Sequence, residues 1–465
     1  MGVAVAVGAG IFSIGAQAAA FHAGPAVVLS FLIAGVVCGA AVMCYAEFAS
    51  MIPVAGSAYT FTYTTVGEIV AWVIGWDLIL EMLMAGSVVS KYWGVYLNQF
   101  FELIGWNINT NIAIGSFNFD LAPVIIVAFF TALLVMGTKI GARVDGALTI
   151  LKIAIVVFIV VVGFFYIKAE NFTPFIPPSE PAASTDGSGV SAVMEQPLWQ
   201  WATGMAPSIY GVTGIISGAA LVFFAFLGFD VVATASEETI NPKKNVPLGI
   251  GVGLGLIIVL YTLVAIVTTG MVSYKDLAKQ SDPSLAVAFK MVGADWAAKI
   301  ISLGIVIGMA TVVMVLLLGL TRVVFAMSRD GLLPRGLSHT GKHGTPVRLQ
   351  IIVGVVMALI AACCNVGILS DMVNIGTLSA FTLVAISIPI MRKKRPDLER
   401  SFKIPGNPWV PILIALANLW LMVNLSVLTW IRFVVWLIVG FAIYFGYGYR
   451  HARLGAGELE VAAQE

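Results

Sequence analysis

Of 465 residues, 60% are hydrophobic and only 11% charged, and the mean hydropathy is +0.99, which excludes an ordinary soluble globular protein. The net charge of +1 gives no electrostatic footprint for nucleic acid. Cys38, Cys44, Cys363 and Cys364 fall in apolar runs with no histidine or acidic ligand set nearby, so they read as small core residues and not as metal ligands or disulfides.

Apolar runs long enough to cross a bilayer recur from end to end without strand-like alternation, which predicts an all-α integral membrane protein and not a barrel. Twelve spans are expected, near 1–22, 26–52, 67–99, 121–138, 146–168, 208–235, 247–272, 289–327, 348–364, 367–391, 408–426 and 429–449. They form one transmembrane domain over 1–453, followed by a short tail, 454–465. Lys139, Arg143, Lys243, Lys244, Arg329, Arg335 and the cluster Arg392-Lys393-Lys394-Arg395 all fall on the side of the termini. The positive-inside rule therefore makes both termini cytoplasmic in a plasma (inner) membrane.

The first span opens on Val7-Gly8-Ala9-Gly10-Ile11-Phe12, where two glycines one residue apart weaken a helix. Taken alone, this stretch reads first as close helix packing, with a ligand site as the alternative, since unpaired backbone at membrane depth is tolerated only in a protein interior or a cavity. Few residues precede it, so a start further upstream or a shortened cytoplasmic end is expected. In the third span Asp77 and Glu81 stand at i and i+4 on one face. Glu81 suits either a cationic substrate side chain or an interhelical hydrogen bond, and Asp77 reads as structural. Near the end of that span Lys91 is expected to snorkel to the interface.

Lys152 in the fifth span shares its helical face with Leu148, Thr149, Ile155 and Val156, so it points into the bundle. An ammonium there is either a proton carrier or a structural lysine paired with a carbonyl. The segment 169–207, rich in Pro, Ser and Gly, reads as an outer, partly irregular connector.

A second break interrupts the sixth span at Phe223-Phe224-Ala225-Phe226-Leu227-Gly228-Phe229-Asp230, with Asp230 placed to cap the resumed half-helix. Broken spans in corresponding positions of two halves point to a transporter's midplane site, and they move the reading of the first break from packing to binding. Repeat one is expected over about 1–168, repeat two over about 208–391 and two extra helices over about 408–449. Arg322 lies close to the cytoplasmic end of the eighth span and is expected to snorkel. No nucleophile elbow, zinc pair or phosphate loop is present, so an enzyme is not expected, and neither is a cofactor or metal.

The ordered set of Gly8-Ala9-Gly10-Ile11-Phe12, YAEFASMIPVAGSAYTF (45–61), GWDLILE (75–81), FFAFLGFD with SEETINPKKNVP (223–247) and TRVVFAMSRDGLLP (321–334) resembles the amino acid–polyamine–organocation superfamily. Within it the chain is most similar to bacterial members of the cationic amino acid transporter family. The resemblance implies two inverted five-helix repeats with broken first and sixth helices plus two peripheral helices, and proton-coupled uptake of L-amino acids, either cationic or including small neutral ones. It implies that Gly8, Ala9 and Gly10 donate backbone N–H groups to the substrate carboxylate. The substrate ammonium would meet carbonyls of Val7, Phe224, Ala225 and Leu227. Phe226 or Phe229 would be the aromatic gate, Lys152 the proton-coupling residue with H+ as coupling ion, and Glu81 the acid near the substrate side chain. Ser90-Lys91-Tyr92 departs from the small, uncharged residues expected there. The lipid bilayer is an implied partner and a small helper subunit a further possibility. Two other functions remain open: proton-independent amino acid exchange, and a membrane amino acid receptor that does not transport.

Overall fold

The computed structural model describes residues 6–51, 59, 62, 63, 67–106, 108, 110–114, 117–137, 142–182, 192–228, 242–280, 282–341, 345–396, 400 and 402–452. Among them, twelve apolar helices follow one another at the expected places. α1 is a continuous helical run through Gly10–Ile14, Gly15–Ala18 and Ala19–Ala23; α2 is Val27–Met51, α3 Glu68–Leu103, α4 Leu121–Val135, α5 Ala142–Phe164 and α6 Gly211–Val222. α7 is Pro242–Met271, α8 Asp295–Arg329, α9 Val347–Cys363, α10 Val366–Lys394, α11 Trp409–Val423 and α12 Val427–Ile443. The protein is an all-α, multi-pass membrane protein, as expected. The eighth helix starts later than the hydropathy run, because the run's first residues form a separate short helix, Leu285–Met291, that ends before Gly293 with φ +77°.

The connector 169–207 is more ordered than its composition indicates. Two residues of it, Glu180–Pro181, pair with Ser208–Ile209, and short helices occupy Ala192–Glu195 and Leu198–Ala202. A second strand pair, Asn111–Ile114 with Phe117–Asp120, leads into α4, whose first turn is capped by the Asp120 side chain accepting from the Ala122 N–H at 3.2 Å.

α3 is the central post of the bundle, packed chiefly against α8 and α10. Glycines make the approach possible: a Cβ at Gly75 would fall 2.7 Å from the Met327 sulfur of α8, and one at Gly376 would fall 3.1 Å from Leu80. Lys91 does not reach toward the interface as the sequence indicates. Its Nζ donates to the carbonyls of Ala361 (3.1 Å) and Cys364 (2.7 Å), where it closes the C-terminal end of α9.

At the end bearing the basic clusters, Glu47 of α2 is wholly buried and held by the Arg392 fork, Nε–Oε1 at 2.8 Å and Nη2–Oε2 at 2.6 Å, and by the Ile404 N–H at 2.9 Å. This pair ties α2 to α10 and to the segment that enters α11. It was invisible as a pair in the sequence, since Arg392 reads there only as one charge in a topogenic cluster. Arg400 also stands 3.8 Å from Glu47 and remains when Arg392 is removed, so Arg392→Ala is expected to cost less than the roughly 3–5 kcal/mol of a buried charge left wholly unpaired. Thermal unfolding in detergent measures this, and Arg392→Ala combined with Glu47→Gln should recover part of the loss.

Candidate functional site

The first break is a bend at Val7 and Gly8, after which helix resumes at Ala9. The Phe12 N–H meets the Gly8 carbonyl at 3.4 Å. At the start of a helix the macrodipole favours an anion. On the other side of the bend the Ala6 carbonyl accepts the Tyr261 hydroxyl of α7 at 2.6 Å. Beyond it the Phe12 carbonyl, in the wide π-helical turn Gly10–Ile14, accepts the Tyr96 hydroxyl of α3 at 2.5 Å. Tyrosines from two neighbouring helices thus take up carbonyls that the irregular helix cannot use.

The second break follows α6. The chain tightens into a 3-10 turn at Phe223–Phe226, extends at Leu227 (φ −64°, ψ 152°) and turns at Gly228 with φ +105°. That last conformation is one a side chain rarely permits. The Leu221 carbonyl accepts from Asn374 Nδ2 of α10 at 3.1 Å, and the Phe226 carbonyl receives the Cys38 thiol of α2 at 3.8 Å. Phe229 and Asp230, the second gate candidate and the expected cap, lie outside the described residues.

The two breaks touch. A Cβ at Gly10 would lie 2.3 Å from the Cα of Ala225, so only glycine lets these segments meet. Their outer ends are joined as well. Tyr210, at the start of α6, donates its N–H to the His22 carbonyl (3.0 Å) and its hydroxyl to the Ala20 carbonyl (2.6 Å), which satisfies carbonyls at the end of α1. α1 and α6 therefore form one unit pinned at both its outer end and its middle.

Of the other expected residues, Phe224 and Ala225 are buried, and Leu227 is partly so. Phe226 is locked in an aromatic cluster with Phe31 (6.3 Å) and Tyr261 (5.5 Å) and forms part of a packed wall. Lys152 is 2% exposed, and its stem lies against Gly308 of α8, where a Cβ would come within 3.0 Å of it. Glu81 is 4% exposed within α3. It stands fifteen residues from Tyr96, about 22 Å along the helix axis, and the α3 side chains in contact with α1 include Tyr96 and Tyr92, which meets Gln17. Tyr96, Tyr261 and Asn374 are the residues the sequence reading missed. A tyrosine or asparagine in an apolar run carries no sign of which carbonyl it will meet.

A cleft of about 810 Å³ opens between the far end of α3 and the 280–291 segment, lined by Asn98, Gln99, Asp282 and Met291 among others, with Glu102 and Lys290 ion-paired at 2.8 Å across it. Beside α1, where it faces α7, there is a void of about 10 Å³.

Two interrupted helices touching at midspan, inside a twelve-helix apolar bundle, define a membrane transporter of the broken-helix class. The family model for amino acid permeases matches residues 1–445. The methylthioribose transporter of Bacillus subtilis is 40% identical over 462 residues, covering 98% of this chain and 92% of the relative. The branched-chain amino acid permease BcaP of the same organism is 40% identical over 464 residues, with the same coverage. A vacuolar cationic amino acid transporter 2 of Arabidopsis thaliana is 36% identical over 404 residues, 85% of this chain and 59% of the relative. This chain belongs to the amino acid permease family, and its relatives are transporters, not enzymes. As a member of that family it is an amino acid permease embedded in the membrane.

The contact between the breaks gives a direct test. Gly10→Ala meets backbone, which cannot yield as a side chain does, so overpacking of about 1–3 kcal/mol is expected to cut uptake about tenfold or more. Adding Ala225→Gly should fail to restore uptake, because the Cα remains; uptake of labelled amino acid into proteoliposomes measures both.

Proposed function

We propose that this permease takes up L-amino acids together with protons by alternating access around the two breaks, in the plasma membrane with both termini cytoplasmic. The observation that carries the proposal is the contact of the two interrupted segments at Gly10 and Ala225, with a lysine buried on a neighbouring helix. In this reading the substrate carboxylate lies on the N–H groups of Gly8, Ala9 and Gly10, and its ammonium on carbonyls of Val7, Phe224, Ala225 and Leu227. Such backbone recognition suits any α-amino acid. The two segments would part to admit it, since Gly10 and Ala225 lie in direct contact.

Lys152 supports proton coupling because a buried ammonium with its stem confined by Gly308 has little freedom except to lose its proton or shift with the helices. Protonated, it holds the site formed; deprotonated toward the cytoplasm, it loosens the first helix and releases substrate. Glu81 tunes preference for cationic side chains, acting from the inner part of α3. Phe226 walls the site, with Phe229 as the moving partner.

Lys152→Ala in proteoliposomes is expected to abolish accumulation driven by a pH gradient while counterflow persists. Full gradient-driven uptake in that variant would refute the coupling role, and wild-type counterflow indifferent to external pH and to a protonophore would identify an exchanger. Competition against one labelled substrate should include cationic, small neutral and branched-chain amino acids and methylthioribose at two pH values. Glu81→Gln is expected to weaken cationic competitors several-fold more than neutral ones, and equal effects would remove the acid from substrate choice.

A further inference from the structure

A buried carboxyl group stands outside this scheme. Asp77, in the first third of α3, is 0% exposed, as are its neighbours Leu78 and Leu80. Neither of its oxygens has a well-formed hydrogen bond, and the donor beside it is the neutral Ser379 hydroxyl of α10. The surrounding seam is tight enough that Gly376 sits against Leu80 and the Asp77 carbonyl.

The charged and titratable groups on every packed helix are engaged elsewhere. On α3 itself, Glu81 is one turn away and Glu68 receives the Tyr444 hydroxyl. On α10, Asp371 accepts from Thr429, and Arg392 is held by Glu47. At the α8 end Asp330 accepts from Tyr59, and Arg322 is exposed. Tyr45 of α2 stacks edge-on to Phe381, and Arg432 of α12 acts on Asp371. Among the described residues, no cation is paired with Asp77. An isolated carboxylate in so closed a place is not sustainable, whereas the neutral acid is.

We propose that Asp77 is a second proton-carrying group, separate from Lys152; this rests on the proton-coupled reading above. The acid is protonated while α3 and α10 are closed on each other. When they part, water reaches it and the O–H bond breaks, leaving a carboxylate on Asp77 and the proton on cytoplasmic water. In the opposite phase of the cycle a hydronium ion from the outer side gives its proton to the carboxylate, which re-forms the O–H bond and releases water. The link to substrate runs through α10, since Asn374, five residues from Ser379 and about 7.5 Å along the helix, holds the Leu221 carbonyl just ahead of the second break. A shift of α10 that wets Asp77 also moves the hand that holds the break.

The test compares wild type, Asp77→Asn, Asp77→Glu and Lys152→Ala in proteoliposomes, with the proton-to-substrate ratio, counterflow and infrared spectra read on each. Two protons per substrate are expected for wild type and for Asp77→Glu, and one for Asp77→Asn. Accumulation per pH unit should then drop from about a hundredfold to about tenfold, with counterflow kept within twofold. An infrared carboxylic-acid band that titrates in wild type, moves in Asp77→Glu and is absent from Asp77→Asn would assign the proton. An unchanged ratio in Asp77→Asn, or the absence of such a band, overturns the proposal. If Asp77→Asn does not fold, wild type and Asp77→Glu still decide by that band. If wild type shows no gradient-driven uptake, the proton-coupled reading fails, while a band that persists in Lys152→Ala still locates the acid.

Discussion

The constraint on which the structure depends is that no peptide group can be left unpaired in a bilayer, although a backbone site for substrate requires that some be left available. The protein meets both demands by breaking two helices where they face each other and by taking up the remaining carbonyls with side chains from intact helices. Tyr261 serves Ala6, Tyr96 serves Phe12, and Asn374 serves Leu221. Val7–Gly10 and Phe224–Leu227 are the stretches proposed to hold substrate, and Gly10 allows them to lie in contact.

That division separates moving parts from fixed ones. α1 and α6 are joined through Tyr210 and through the Gly10–Ala225 contact, so they are built to travel as a pair. α3 is the post they move against, and it carries each of the α3 groups that bear on mechanism in order along its length: Asp77 at the α10 seam, Glu81 a turn later, Lys91 on the α9 carbonyls and Tyr96 on α1. α10 touches both sets, through Asn374 at the second break and through Arg392 on Glu47 of α2.

Relatives of similar identity bear names for quite different cargo, methylthioribose, branched-chain and cationic amino acids, so one fold serves several kinds of solute. Backbone groups recognise what α-amino acids share and leave selectivity to a small number of side chains. Such positions change without disturbing the fold.

Composition and hydropathy alone determined the class, the number of spans and their order, because a 30 Å hydrocarbon layer imposes length and apolarity on each helix independently of its neighbours. The two breaks were also legible, since paired glycines and an aromatic-glycine run interrupt helices through local propensity. Partnership was not legible. That Gly10 meets Ala225, that Glu47 meets Arg392 across 345 positions, and that Lys91 closes α9 while Asp77 is left with no well-formed hydrogen bond were decided only by packing. A contact between distant residues depends on where two whole helices lie, and no local pattern in either of them records it.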